Sequence, residues 1–257
     1  MEPKQFAAAQ GWAWIKQGYA LFMKAPVLWV VLFVIAAIAL IALSNVPVVG
    51  EPLVSLLMPV VLAGVMSGAR DLQKGEELEL MHLFSGFHKH MAQLVTLGGI
   101  SLVAQFLIFG VMLMVGGGTL VSILMSSEPI TDPAVVNEAL AGAGFAATLG
   151  MFLFSILMMA MQYAPMLVFF NDVAPVAAMK LSLRAFLNNI GAMTVYSATL
   201  IALAILASLP MMLGWLVLLP VVFASLYASF DEIFPAIAEV APVTVNEFSP
   251  RDDQSHF

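Results

Sequence analysis

The sequence predicts an all-α membrane protein: a bundle of six transmembrane helices in three pseudo-repeated hairpins, each preceded by an amphipathic helix on the cytoplasmic face. Three observations predict this fold. Hydrophobic residues make up 62% of the chain and charged residues only 10%, whereas roughly a quarter of the residues in soluble domains are charged. Several uncharged stretches have a length of about 20 residues or more, which is what one bilayer crossing needs. The basic residues all fall on one side of the alternating spans.

The first element is an amphipathic helix over residues 6–24, in which apolar residues recur at steps of three and four. Trp12 and Trp14 stand beside Lys16 in this helix, and Lys24 ends it. Such residues are typical of the lipid headgroup layer, where a ring buries its body and keeps its polar edge wet. These four residues are therefore predicted to anchor the helix at the interface.

Six membrane spans are predicted from the uncharged stretches and from the turn residues between them. Residues 185–230 carry no charge over 46 residues, about twice one crossing, and Pro210 with Gly214 marks the reversal. The triplet Gly116-Gly117-Gly118 is expected to end the third span, and the chain after it to lie along the far surface. The spans lie at about 26–43, 53–69, 91–115, 145–170, 191–209 and 213–230.

Two further amphipathic helices are predicted on the side of the first, at about 76–90 and 174–189. Lys180 and Arg184 share a polar face of the latter and are predicted interfacial anchors. Asp71 and Asp172 are expected to cap the helices that follow them. Residues 1–230 then form a single membrane domain, and the proline-containing residues 231–257 are predicted to be a flexible cytoplasmic tail.

The positive-inside rule orients the chain. With six spans, one side receives every lysine and arginine and the other receives none. The rule therefore predicts cytoplasmic N- and C-termini in a bacterial inner membrane. The residues on the basic side are Lys4, Lys16, Lys24, Arg70, Lys74, Lys89, Lys180, Arg184 and Arg251.

An internal repeat is indicated by aligning the amphipathic helices on Phe22, Phe87 and Phe186, because each then leads into a two-span hairpin. The second span of each hairpin contains a proline, namely Pro59, Pro165 and Pro220. Proline bends a span and frees a backbone carbonyl. These prolines are either packing features of bent helices or hinges beside a substrate site.

Small residues four apart follow two of these prolines: Gly64 with Gly68, and Ser225 with Ser229. This pattern permits close helix packing in lipid. The face that carries Gly64 and Gly68 could serve dimerisation or internal packing equally well.

The predicted spans offer few candidate catalytic residues. The six predicted spans contain no Asp, Glu, Lys, Arg or His, although proton-coupled transporters and intramembrane proteases generally need an ionisable group at depth. His82, His88 and His90 lack the spacing of a helical zinc site. We therefore expect no enzyme activity, no cofactor and no metal. Buried polar residues such as Gln105, Gln162 and Tyr163 are expected to be interhelical hydrogen-bond partners.

A family resemblance rests on the segments 11–15, 68–72 and 83–87, together with Gly18, Phe22, Pro26, Trp29, Gly75 and Glu76. In these residues the chain resembles an uncharacterised proteobacterial family of multi-pass inner-membrane proteins. More distantly, residues 175–186 look like an element of the membrane domain of bacterial glycerophosphodiester phosphodiesterases. That resemblance implies a membrane module without the separate catalytic domain.

Two functions from different classes fit these features. The favoured one is a non-enzymatic accessory or scaffold component in envelope or lipid homeostasis. The alternative is a facilitative transporter or carrier for an apolar or amphipathic small molecule or lipid, with a cavity near the three prolines. Either function implies that membrane lipids are partners of the protein. Another membrane protein, or a second copy of this chain, is the alternative kind of partner. No nucleic acid is expected to bind.

Overall fold

The structure, a computed structural model, describes residues 2–117 and 133–235. Over these residues the chain forms helices and no strands. A 3₁₀ helix spans Leu80–Phe84, and a π-helical turn spans Leu113–Gly117. The helices are α1 (Gln10–Lys24), α2 (Pro26–Ser44), α3 (Gly50–Lys74), α4 (Ser85–His88), α5 (Met91–Met112), α6 (Pro133–Met161), α7 (Ala164–Asn171), α8 (Pro175–Asn188), α9 (Ile190–Ser208) and α10 (Trp215–Ile233).

Six helical stretches in the described part of the chain are long and apolar enough to cross a membrane. They are α2, α3, α5, α6 with α7, α9 and α10. Their outward faces carry large exposed apolar side chains, among them Phe106, Phe152 and Ile201. In water such a surface would be a liability, whereas in a bilayer it is the surface that lipid covers.

Local sequence explains where several helices begin and end. Pro26 opens α2 and Pro175 opens α8, at first-turn positions where the missing N–H costs nothing. Gly75 ends α3 in the left-handed region, with φ of 89°, which glycine adopts without a steric penalty.

Spans that follow each other in the chain contact each other in pairs. We refer to these pairs as hairpin 1 (α2 and α3), hairpin 2 (α5 with α6 and α7) and hairpin 3 (α9 and α10). A leading segment precedes each: α1, residues 80–88 and α8. Residues 80–88 pack on α3, α8 packs on α6 and α7, and α1 packs on α9 and α10. Each leading segment therefore contacts the hairpin that precedes it in the chain, and α1 closes the ring by contacting the last one.

The leading segments all lie at one end of the bundle, which we call the basic end. It carries Lys24, Arg70, Lys74 and Lys89 at helix termini. The turns at 45–49 and 209–214, at the opposite end, carry no lysine or arginine.

The largest fully buried side chains include Trp14, Trp29, Tyr163 and Phe234.

The structure differs from the predicted boundaries in several places. Helix α6 begins at Pro133, before the predicted start of the fourth span at 145, and α3 runs on to Lys74, past the predicted end of the second span at 69. Helix α1 begins at Gln10, because the preceding backbone is held by long-range bonds described below. The predicted helix 76–90 is a non-helical stretch followed by the 3₁₀ helix and α4, with Glu79 and His82 forming a reciprocal cap at its start. The predicted fourth span, 145–170, breaks at 162–163. Helix α10 runs on to Ile233, into the predicted tail.

Two predicted features lie outside the described residues. These are the course of the chain after Gly117 and the tail beyond residue 235.

Candidate functional site

Two aspartates at the basic end bond to histidines rather than capping helices. Asp71 lies in the last turn of α3, and its Oδ2 is 2.8 Å from Nε2 of His82. Asp172 follows α7 in the left-handed region and contacts the ring of His90, just before α5. The start of α8 has no side-chain cap. The predicted capping roles are therefore wrong for both aspartates, which instead connect neighbouring segments.

A carboxylate at the end of α10 holds α1 in place. Glu232 accepts hydrogen bonds from Gln10 Nε2 at 2.6 Å, Trp14 Nε1 at 2.8 Å and Gln17 Nε2 at 2.8 Å. These donors lie three and four residues apart along α1, so they share one face of that helix. Hydrogen bonds to a charged group are stronger than neutral ones. Glu232 therefore fixes both the position and the rotation of α1.

The chain before α1 is held by one buried amide. Asn189 Oδ1 accepts from Phe6 N at 2.8 Å, and Asn189 Nδ2 donates to Lys4 O at 2.9 Å. Lys4 N in turn donates to Ile233 O at 3.0 Å. These bonds satisfy the backbone of the N-terminal segment outside any helix.

Two buried tyrosines join helices in the core, and each bonds to one of the predicted packing serines. Tyr163 OH and Ser229 Oγ lie 3.0 Å apart, and Tyr196 OH and Ser225 Oγ lie 2.8 Å apart. The first pair joins hairpin 2 to hairpin 3, and the second joins α9 to α10. The serines thus act as hydrogen-bond partners as well as small residues at a helix interface.

The glycines of the predicted small-residue face, Gly64 and Gly68, pack within the chain. A methyl group at Gly64 would lie 2.5 Å from His82 O, and one at Gly68 would lie 2.5 Å from Leu78 Cδ1. Only a residue without a side chain admits the backbone of the second leading segment this closely. The structure thus places this face in an internal contact.

The interfacial-anchor residues separate into two groups. Lys16, Lys180 and Arg184 are exposed at the basic end, and Trp12 is 48% exposed. Trp14 has no exposed surface and packs against Phe6 and Tyr196. Lys24 Nζ donates to Leu72 O at 2.7 Å. Trp14 is therefore a core residue, in contrast to the prediction.

The break between α6 and α7 has a specific cause. In an unbroken helix Tyr163 N would donate to Met159 O, four residues earlier. Here Ser182 of α8 is inserted between them: its Oγ accepts from Tyr163 N at 3.0 Å and donates to Met159 O at 2.7 Å. Pro165 also lacks the N–H that would bond to Met161 O. A side chain inserted into the helical ladder is a recognised cause of a sharp bend.

Beside this break lies a cleft of about 430 Å³, at the mid-depth of the spans. Its walls come from α2, α3, α6 and α10, and nearly all of its lining is apolar. Helices α2, α3 and α10 pack against one another, whereas α6 does not pack extensively against any of them over the described residues. The cleft is the resulting gap. Lining residues include Phe33, Ala37, Met58, Val61, Met158, Gln162, Leu219 and Phe223.

The cleft is closed towards the basic end, where hairpins 2 and 3 do meet. There Tyr163 packs against Phe230 and Phe234, and Phe170 packs against Tyr227 and Phe230. The hairpins diverge on the other side of this aromatic cluster. A molecule in the cleft would therefore reach it beside α6, from the half of the bilayer away from the basic end.

The three prolines predicted to be packing features or hinges do not themselves line the cleft, but their chain neighbours do. Met58 and Leu219, both lining residues, immediately precede Pro59 and Pro220, and Gln162 lies three residues before Pro165. Pro59 and Pro220 lie inside continuous helices, α3 and α10, whereas Pro165 opens α7 after the break.

Sequence reasoning missed Glu232, Asn189 and Ser182, whose roles depend on contacts between distant segments. The one signal that the sequence offered was the polarity of Ser182 and Asn189. Over the described residues, no group of three or more histidine, aspartate or glutamate side chains could hold a metal ion.

Comparisons with known proteins show which family the chain belongs to. No family model matches it, and no solved structure matches it. These comparisons do not reproduce the resemblance of residues 175–186 to the phosphodiesterase membrane domain. A probable inner membrane protein of Burkholderia thailandensis is 32% identical over 249 residues, which cover 90% of this chain and 91% of that protein. The chain therefore belongs to the family of this probable inner membrane protein.

Proposed function

We propose that this protein binds an apolar or amphipathic molecule of the membrane in the cleft beside α6 and acts as a facilitative carrier for it. The observation that carries the proposal is the cleft itself. Its volume of about 430 Å³ lies within the range of about 300–1,000 Å³ typical of ligand sites, which are mostly apolar with a few polar groups.

The cleft is open where α6 stands apart from α3 and α10, so hydrocarbon chains of the bilayer can enter it. The proposed ligand therefore competes with lipid chains for this site.

The lining restricts the chemistry of the occupant. Among the residues that the structure describes, no ionisable side chain lines the cleft. A charge placed there would lie unpaired at bilayer depth, which is costly. The part of the molecule inside the cleft is therefore uncharged, and any charged headgroup stays at the membrane surface.

The test is a matched pair of substitutions on α2. Ala37→Phe adds a ring inside the cleft, whereas Ala42→Phe adds the same ring to an exposed position on the opposite side of the helix. Purified variants are compared by mass spectrometry of bound small molecules and by flux of an uncharged fluorescent lipid in proteoliposomes. We expect Ala37→Phe to lower both and Ala42→Phe to leave both unchanged. Equal retention and flux in the two variants would refute the proposal.

An accessory or scaffold role in envelope or lipid homeostasis is the second candidate. It is supported by the basic end, where Asp71, Asp172 and Glu232 fix the leading segments to the hairpins. Such a fixed surface suits a protein partner. Native purification followed by mass spectrometry separates the candidates, because a stoichiometric protein partner would favour the scaffold and a single enriched small molecule the carrier.

We also propose three further properties of the protein, which hold for either candidate function. The termini lie in the cytoplasm, as the positive-inside rule indicates. The hairpins descend from one repeated unit, which the ring of leading segments supports. The protein acts without enzymatic chemistry, cofactor or metal.

A further inference from the structure

Gln162 is the polar side chain that lines the cleft alongside its apolar residues. It lies in the break between α6 and α7, where the backbone departs from the helix. An amide side chain has two donor hydrogens and a carbonyl that accepts. Over the described residues its only contact of this kind is Nε2 to Met193 Sδ at 3.9 Å, and a thioether sulfur is a weak acceptor.

Polar side chains of the spans differ in whether they are paired, and over the described residues Trp29 Nε1, Gln93 Oε1 and Asn171 Oδ1 are buried without a hydrogen-bond partner. Gln105 Nε2 donates to Ser101 Oγ at 3.2 Å, and the tyrosine hydroxyls bond to serines. These groups have partners inside the protein, as polar groups in lipid require. The Gln162 amide instead lies at the wall of the cleft with most of its hydrogen-bonding capacity available.

We infer that the ligand is an uncharged, largely apolar molecule with a hydroxyl or carbonyl oxygen, and that Gln162 selects it by hydrogen-bonding that oxygen. The inference rests on the proposed carrier function and names its substrate class. A pure hydrocarbon would leave the amide unpaired, which is costly in an apolar environment. A carboxylate or phosphate would lack the cationic partner that a buried anion needs.

The volume limits how much of the molecule is enclosed. At roughly 30 Å³ for each water-sized group, the cleft of about 430 Å³ holds about fourteen non-hydrogen atoms. A ring or chain segment of that size, with its oxygen at the level of Gln162, fills the site. The rest of a longer molecule would extend beside α6 into the lipid.

The test uses two probes that differ only in one hydroxyl group: a dibrominated C18 alcohol and the corresponding dibrominated alkane. Bromine quenches tryptophan fluorescence at short range. Trp29 is a suitable reporter, because its ring lies 6.0 Å from that of Phe33, which lines the cleft. Quenching is measured in nanodiscs, and a Trp29→Phe variant defines the part of the signal that comes from Trp29.

We expect the alcohol to bind about 3- to 10-fold more tightly than the alkane, the factor that one neutral hydrogen bond supplies. Gln162→Leu should abolish this preference, with Gln162→Met as the second variant if the first does not fold. Gln105→Leu, which removes a glutamine amide of the spans that does not line the cleft, should keep it. A preference that survives in Gln162→Leu or Gln162→Met would overturn the inference.

The two proposals fail in different ways. If the alkane and the alcohol quench Trp29 equally in the unmodified protein and Ala37→Phe blocks both, the cleft binds apolar molecules but Gln162 does not select them. If neither probe quenches Trp29, or if Ala37→Phe changes nothing, the carrier function itself is refuted.

Discussion

Replacing Ser182 with alanine tests how the break between α6 and α7 is maintained. Ser182 is fully buried, and its hydroxyl bonds to both members of one helical backbone pair, Tyr163 N and Met159 O. Alanine leaves a donor and an acceptor facing each other without the hydroxyl between them. Either both stay unsatisfied, or the helix straightens until they bond directly.

The magnitude follows from these two outcomes. A buried donor left without a partner costs about 1–3 kcal/mol, whereas measured side-chain hydrogen bonds in membrane proteins average about 0.6 and reach about 1.7 kcal/mol. A direct bond between Tyr163 and Met159 would recover part of the loss, but the missing N–H and the ring of Pro165 oppose a straight helix. We therefore expect Ser182→Ala to lower the free energy of unfolding by about 1–2 kcal/mol.

The assay is unfolding in mixed micelles by titration with sodium dodecyl sulfate, combined with amide hydrogen exchange of residues 159–165. Ser155→Ala is the matched control, because Ser155 is exposed on α6 and donates only to Met151 O of its own helix. We expect it to change stability by less than about 0.5 kcal/mol. If both variants unfold at the same detergent fraction, and exchange at 159–165 is unchanged in Ser182→Ala, the reasoning is refuted.

Two further predictions follow from the packing and from the topology. A methyl group at Gly18 would lie 2.4 Å from the backbone nitrogen of Ser225, so Gly18→Ala should displace α1 from α10 and lower the free energy of unfolding by about 1–3 kcal/mol. Gly110→Ala, with no atom within 4 Å of the new methyl group, should cause no loss in the same titration. Because the chain has no cysteine, Glu77→Cys and Asn45→Cys each provide one labelling site. An impermeant maleimide should label Asn45→Cys in intact spheroplasts and Glu77→Cys only after lysis, and labelling of both from one side would contradict six spans.

The spans were predictable because each depends on its own composition. A run of apolar residues without charge has few alternatives to a membrane helix, and Pro26 and Gly75 punctuate the chain by local rules. The placement of lysine and arginine likewise needs no tertiary information. These features led to six helices with boundaries close to those of the structure.

The cleft and its surroundings were predictable only in part. The three prolines indicated bent spans, and a cavity near them was one of the two interpretations that their pattern allowed. The gap itself depends on α6 standing apart from α3 and α10, which no local pattern encodes. Trp14 illustrates the same limit, because a tryptophan at an interface and a core tryptophan bonded to a carboxylate of another helix have the same sequence context.

The cleft lies where hairpin 2 differs from the other two hairpins. Hairpins 1 and 3 each place a proline inside a continuous helix, α3 or α10, and these two helices pack against each other. In hairpin 2, Pro165 is accompanied by the Ser182 insertion, and the span divides into α6 and α7. Helix α7 lies in the aromatic cluster with α10, whereas α6 does not pack extensively against α2, α3 or α10 over the described residues. The inserted hydroxyl of Ser182 and the proline, which interrupt the helical ladder at this point, therefore account for the opening that the proposed ligand occupies.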